Sequence, residues 1–288
     1  MTSSTPNDEA PSPVGTPGAG TGAWKEASPA DAPGAGRWIE RAAWVLGGAL
    51  VLLGVWAFLA GRQEEYMLPS PEETLRALVT LAGTPEFWQA LVLTLRRALT
   101  GLVLAVAAGV VWGCAMGRWE RLSWFCQVGL QVLLSTPAII FVILGLLWFG
   151  NNGGAVIFVV ALVTAPVLTT ATAQAVRSID TDLLEMARLF RLSRWTTLRR
   201  VGFPMVAPPV LAAATVALGQ SVRVSVMAEL LATASGMGGA IRSAQLNIDS
   251  SKIFAYAVVM TVLTFTLEAV FVAPLRRRMH AHRESASG

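Results

Sequence analysis

Apolar residues along this chain gather into runs too long for strands and too continuous for surface helices. Ala42–Gly61 carries no charge, and Ala98–Gly117 repeats the pattern, extending back toward Leu91 with Arg96 and Arg97 near one end. Leu122–Val176 is uncharged over 55 residues and is split by FGNNGGA (Phe149–Ala155), because Asn and Gly supply the positive φ of a tight loop. Two later runs, about Ala207–Leu231 and Ile253–Leu275, each tolerate isolated charges: Arg223 and Glu229 in one, Glu268 in the other. A bilayer is crossed by about 20 apolar residues. The pattern therefore predicts an all-α membrane protein with six transmembrane helices, kinked at Pro137 in the third and Pro166 in the fourth.

Between the runs the pattern changes period. In LPSPEETLRALVTL, Ser70 before Pro71, with Glu72 and Glu73 following, predicts a short interfacial helix. Ser235–Ser251 is too polar to span and predicts a re-entrant or surface cap. The longest polar segment, residues 178–204, predicts two short helices. Asp182 with Glu185 three residues later reads as a capping box. Leu183, Ala187 and Phe190 then share one face, with Arg188 and Arg191 on another. Ser193 caps a second helix bearing Trp195, Leu198, Arg199 and Arg200, and Pro204 marks entry into the fifth span.

Composition narrows the class. Hydrophobic residues make up 54% and charged residues 14%, whereas a soluble surface needs about a quarter charged. Residues 1–36 hold six prolines and six glycines, a stretch expected to be disordered and lacking a signal-peptide core. Cys114 and Cys126 lie in apolar runs, cannot form a disulfide framework, and are expected to be free buried thiols. The two histidines, His280 and His282, sit near the end of the chain, leaving no intramembrane His for metal binding or proton relay. Lys25 and Lys252 follow Trp24 and Ser251, so no phosphate-binding Gly-Lys-[Ser/Thr] exists here. Trp38, Trp124 and Trp148 near run ends fit interfacial belts.

With the N-terminus cytoplasmic, 15 of 22 Lys and Arg fall on the cytoplasmic side, six on the other, and Arg223 within a span. The positive-inside rule thus places both termini in the cytoplasm of a multi-pass cytoplasmic (inner) membrane protein. It also explains the net charge of +4 without nucleic acid. The expected organisation is a tail (1–36), a first helix with an interfacial segment (37–86), a transmembrane core (87–275) and a basic C-terminal tail (276–288).

The stretch EMARLFRLSRWTTLRRVGFP resembles the EAA loop of binding-protein-dependent ABC importer permeases, with Glu185, Ala187, Pro204 and the Ser-Arg-Trp of Ser193–Trp195 matching. LPSP (Leu68–Pro71), TLRRALTG (Thr94–Gly101), LLWFGNNGG (Leu146–Gly154) and AELLATASGMG (Ala228–Gly238) follow in family order. Over about residues 65–280 the chain is similar to the sulfonate-, taurine- and nitrate-type permeases, whose relatives also carry pyrimidine-like compounds. The resemblance implies a type I importer permease without catalysis or cofactor of its own. ATP would be bound by a cytoplasmic ATPase dimer, an extracytoplasmic binding protein would deliver solute, and a second permease copy would complete the pathway. It makes residues 178–204 a coupling helix between spans four and five. Glu185, Ala187, Arg188, Arg191, Ser193 and Pro204 become the ATPase-coupling residues.

Three positions depart from the family: Arg191 stands for the loop glycine, Val222 for a common Trp and Thr215 for an Arg. Holding a non-Gly residue at positive φ costs about 1–2 kcal/mol, so the first short helix is expected to run on through Arg191. The intramembrane charges each cost about 2.5–3.5 kcal/mol on insertion scales and must face a cavity or a partner. Arg223, Glu229 and Pro137 are the pathway candidates. Arg223 reads either as an anion attractor or as half of an ion pair, and Glu229 more as a structural or gating contact. Six residues apart on one helix, the two cannot pair simply. The alternative, an ion-gradient-driven secondary transporter, would use paired intramembrane carboxylates or an inverted repeat, and neither is clear in the sequence.

Overall fold

The computed structural model describes residues 35–64 and 67–284; the tail expected to be disordered falls almost wholly outside them. Every regular element among these residues is helical: α1 (Ala35–Ala60), α2 (Pro71–Ala82), α3 (Pro85–Arg118), α4 (Glu120–Ser135), α5 (Ala138–Phe149), α6 (Gly153–Arg177), α7 (Thr181–Leu189), α8 (Arg194–Thr197), a π-helical turn (Leu198–Gly202), α9 (Phe203–Ala232), α10 (Gly236–Leu246) and α11 (Ser250–Glu284). The chain divides after Leu52. The first unit contributes the opening half of α1, and the second holds everything after it.

Five helices are long and apolar enough to cross a membrane, and a sixth span exists if α4 and α5 count as one. That pair corrects the expectation of a single kinked third span. It bends by 97° at Thr136–Pro137, where Pro137, lacking an N–H, stands as the N-cap of α5. Pro166, by contrast, stays inside an unbroken α6. The basic residues expected as a C-terminal tail continue α11 through Glu284.

The centre of the second unit is α3 lying along α6, with α9 across both. Gly101, Ala105, Gly109, Gly113 and Gly117 recur every fourth residue and so line one face of α3. A Cβ at Gly109 would come within 2.7 Å of the Leu168 Cβ, and one at Gly101 within 2.6 Å of the Val160 Cβ. The backbones touch with nothing between them, the close approach that small residues give membrane helices. Two further apolar clusters complete the body. Phe141, Val142, Val156, Val159 and Val160 join α5 and α6 to Val224 and Ala228 of α9. Leu81, Phe87, Met237 and Tyr256 join α2, α3, α10 and α11. At the far end of α6, Arg177 donates to the Met116 carbonyl at 3.3 Å and to the Ser123 hydroxyl, tying α6 to α3 and α4.

The helix ends follow local chemistry. Ser70 caps α2 as expected, its Oγ accepting from Glu73 N at 3.2 Å while Glu73 Oε2 accepts from Ser70 N at 2.7 Å. The Ser235–Ser251 segment forms α10. Asp249 precedes α11, accepting from Lys252 N at 3.1 Å and pairing with its Nζ at 2.8 Å. Partial burial pushes the Asp249 carboxyl up, but the bonds and charge of Lys252 outweigh it and hold the group below its ordinary value.

Among the described residues, two non-glycine residues have positive φ, Arg191 at 49° and Ile248 at 57°. Each stands just past a helix, in the same turn. Leu192 N donates to Ala187 O at 2.9 Å and Asp249 N to Ala244 O at 3.0 Å, the six-to-one bond of a Schellman cap. A left-handed conformation costs a side chain about 1–2 kcal/mol, and a β-branched one fits it worst. Ile248→Gly is therefore expected to raise the thermal midpoint of the purified protein by a few degrees, and Arg191→Gly to do so by less. A fall in the midpoint for Ile248→Gly would contradict the strain.

Candidate functional site

The segment between α6 and α9 folds as a helical hairpin, several of whose large apolar residues have no cover. Asp180, not Asp182, is its N-cap, the Oδ1 accepting from Asp182 N at 2.9 Å, so the helix opens two residues earlier than expected. It also stops at Leu189 rather than running through Arg191. Arg191 takes a left-handed conformation, φ 49°, so the hairpin turns there at the cost of strain. Ser193 caps α8 as expected, accepting from Thr196 N at 3.2 Å, and Pro204 sits in the first turn of α9.

On this hairpin Ala187 is buried in its own chain, while Leu183 and Phe190, expected on its face, are exposed. Met186, Leu189, Phe190 and Trp195 lie 51–81% exposed. Glu185, Arg188, Arg191, Arg194, Arg199 and Arg200 surround them, all exposed. An apolar patch with an aromatic centre and a charged rim has the make-up of a protein-docking surface.

At the other end of α9 the chain buries an ion pair that the sequence did not disclose. Glu229 is fully enclosed, and its partner is Arg97 of α3, with Nη1 donating to Oε1 at 2.8 Å. The second oxygen accepts from Thr94 Oγ1 at 2.6 Å and from Gly238 N at 3.2 Å. Thr94 in turn accepts from Met237 N at 2.8 Å. Arg97 also donates to the Ser235 carbonyl at 3.2 Å and hydroxyl at 3.0 Å. The carboxylate thus sits on the N-terminus of α10, where free N–H groups and the helix dipole favour an anion. Gly236, at φ 84°, packs its α-carbon against the Glu229 carboxylate, and Gly153 packs against the Arg97 guanidinium, where a Cβ would meet Nε at 2.7 Å. Three of the motifs named above, around Arg97, Gly153 and Glu229, therefore meet at one point. The Glu229 carboxylate accepts three hydrogen bonds, one on Oε1 and two on Oε2, all from protein donors, which leaves it a fastening of α3, α9 and α10.

Arg223 and Pro137 are placed differently. Both are exposed on the isolated chain, and Arg223 lies on the face of α9 opposite the buried Val222 and Val224. Glu268, half-buried on α11, rests against Gly219 of α9.

This arrangement of membrane-crossing helices, with an exposed apolar hairpin between two of them, is that of the transmembrane subunit of an ABC importer. Residues 105–279 match the family described as the binding-protein-dependent transport system inner membrane component, and the chain belongs to that family as a multi-pass inner-membrane protein. It is 30% identical over 247 residues to the taurine transport system permease protein of Escherichia coli, covering 83% of this chain and 90% of that one. It is 32% identical over 206 residues to a putative aliphatic sulfonates transport permease of the same organism, covering 70% and 77%. A nitrate import permease of Leptolyngbya laminosa is 26% identical over 76% of this chain and 81% of its own. Among solved structures, an amino acid ABC transporter shares the fold at TM-score 0.57 and 19% identity, covering 69% of this chain and 97% of that one. A bacterial transporter importing the polysaccharide alginate does so at 0.58 and 16%, covering 83% and 98%.

Proposed function

We propose that this permease carries a small solute, either an organic anion such as a sulfonate or a nitrate- or pyrimidine-like compound, and takes its energy from a separate ATPase. Both termini and the α7–α8 hairpin face the cytoplasm, and two ATPase subunits hold all the bound ATP. An extracytoplasmic binding protein delivers solute at the α10 end, and two copies of this chain line the pathway. The chain itself makes and breaks no covalent bond.

The uncovered hairpin is the observation that carries this reading. Four large apolar side chains stand in water there unless a partner covers them, and a soluble ATPase groove is the partner that the fold class supplies. Trp195 and the surrounding arginines are residue types that concentrate binding energy. Glu185 and Arg188 stand at the rim of the patch, where a charge reversal meets the partner directly without disturbing the buried Ala187.

The test is co-purification with a candidate P-loop ATPase from the same organism. Arg188→Glu is expected to cut recovered ATPase at least tenfold and Glu185→Ala severalfold, with permease levels unchanged. Recruitment equal to wild type in both variants would remove the hairpin from coupling.

A further inference from the structure

The corner between α3 and α4 holds two guanidinium groups that nothing in the chain answers. Arg118 ends α3 and Arg121 lies in the first turn of α4. Both are exposed, and among the described residues neither has a hydrogen bond or an ion pair. With Trp119, Glu120 and Leu122 they line an open hollow of ≈ 600 Å³. Glu120 is also exposed and pairs with neither arginine, so two positive charges against one negative leave the lining at a net +1. The corner is held in shape. Trp119 alone joins the two helices, and Arg177 ties them together by donating to the Met116 carbonyl and the Ser123 hydroxyl. Arg177 ends α6 just before the hairpin, so the hollow opens on the hairpin's side of the membrane, at the end of a helix apolar enough to cross it. From there an apolar track runs along α4. Leu122, Phe125, Gly129 and Val132 share one face, Phe125 is 83% exposed, and nothing stands within 4 Å of a Cβ at Gly129. Of the 16 residues of α4, Ser123 alone is buried. Exposed Trp119 and Trp124 flank the head of the track, and tryptophan settles at the level of lipid headgroups.

A positive hollow at the membrane surface, continuous with an apolar track, fits a molecule with an anionic head and an apolar tail. We infer that this corner binds an anionic glycerophospholipid of the leaflet on the hairpin's side. Its phosphodiester lies on Arg118 and Arg121, and one acyl chain follows α4 over Phe125 and Gly129. Basic pockets beside spanning helices favour anionic headgroups, and the guanidinium fork matches phosphate oxygens. The net charge of the lining selects against phosphatidylcholine, whose own ammonium cancels its phosphate. Free phosphate would use the arginines and leave the track uncovered. A second copy of the chain would cover the track, but a two-fold contact here would set Arg118 and Arg121 against their own duplicates.

The experiment uses the full-length permease, purified in a maltoside detergent and titrated with dioleoyl phosphatidylglycerol, with the lipid-bound fraction read by native mass spectrometry. Arg118→Gln with Arg121→Gln is expected to weaken binding about tenfold or more. Arg62→Gln with Arg242→Gln removes the same charge from exposed positions outside the hollow and should change binding by less than about twofold. Glu120→Gln raises the positive charge of the lining and should tighten binding severalfold, a gain that a misfolded variant cannot produce. Phe125→Ser with Val128→Ser should weaken it severalfold by roughening the track. No phosphatidylglycerol bound to the wild type, or equal losses in the two double arginine variants, would overturn the site, the second by reducing binding to overall charge. Phosphatidylcholine held as tightly as phosphatidylglycerol would also overturn it. Inorganic phosphate that displaces phosphatidylglycerol at equal concentration would leave a phosphate site and no lipid site. Unchanged binding in Phe125→Ser with Val128→Ser, together with loss of the purified dimer, would give the track to a second copy and overturn the lipid.

Discussion

Replacing Arg97 with methionine is expected to cost about 3–5 kcal/mol, the penalty for leaving a buried charge without its partner. That is a large part of the 5–15 kcal/mol by which folded domains typically persist. Glu229 is the residue left behind, with no water to turn to. Thr94 and Gly238 N still donate to it, but these are neutral groups and cannot balance a full charge. The effect should be read as collapse of the detergent-purified yield and of the thermal midpoint. Arg97→Lys should fall between, because a point charge replaces a fork that holds both Glu229 and Ser235. Removing both charges, as Arg97→Met with Glu229→Met, should not restore wild-type stability, since the Gly238 N–H and Thr94 hydroxyl then lose their acceptor. A midpoint for Arg97→Met within two degrees of wild type would show that the pair does not hold the helices.

The second large effect belongs to the glycine stripe, and it sets two tendencies against each other. Any residue other than proline favours a helix interior over glycine, by up to about 1 kcal/mol for alanine. At Gly113 that gain is overwhelmed. A Cβ there would sit 2.7 Å from the Thr169 carbonyl, and backbone cannot rotate aside as a side chain can. Gly113→Leu is expected to destabilise by about 3 kcal/mol or more, the upper range for overpacking, because α3 must separate from α6 along its length. Gly129 in α4 is the control, with nothing within 4 Å of its Cβ position. Gly129→Leu should leave the yield of folded protein unchanged, and equal yields for the two variants would refute the close approach.

Much of this was legible from residue order, and the exceptions have physical causes. Charge-free runs marked the spans because a bilayer admits little else, and Ser70 and Ser193 marked helix starts because capping is a local interaction. The Arg97–Glu229 pair was hidden because 132 residues separate its partners and span patterns carry no information about which helices meet. The four-residue spacing from Gly101 to Gly117 was a signal in plain view, and reading it would have predicted a face of α3 pressed to another helix. The helix was expected to pass through Arg191 because propensity favours continuation. Tertiary context chose the turn instead, and the side chain tolerates the strain. Pro137 was expected to bend a span and instead breaks one, since a kink and a break differ in packing partners that no local pattern contains.

One rod links the two ends of the molecule. From Arg194 through the π-helical turn to Ala232 the chain is a single continuous helix of 39 residues, with Trp195 at one tip and Glu229 near the other. Such a rod is a lever of about 58 Å at 1.5 Å per residue. Were it to tilt about its middle, its two tips would swing in opposite directions. The π-helical turn at Leu198–Gly202 is where the hydrogen-bond register of that rod changes, close to its Trp195 tip.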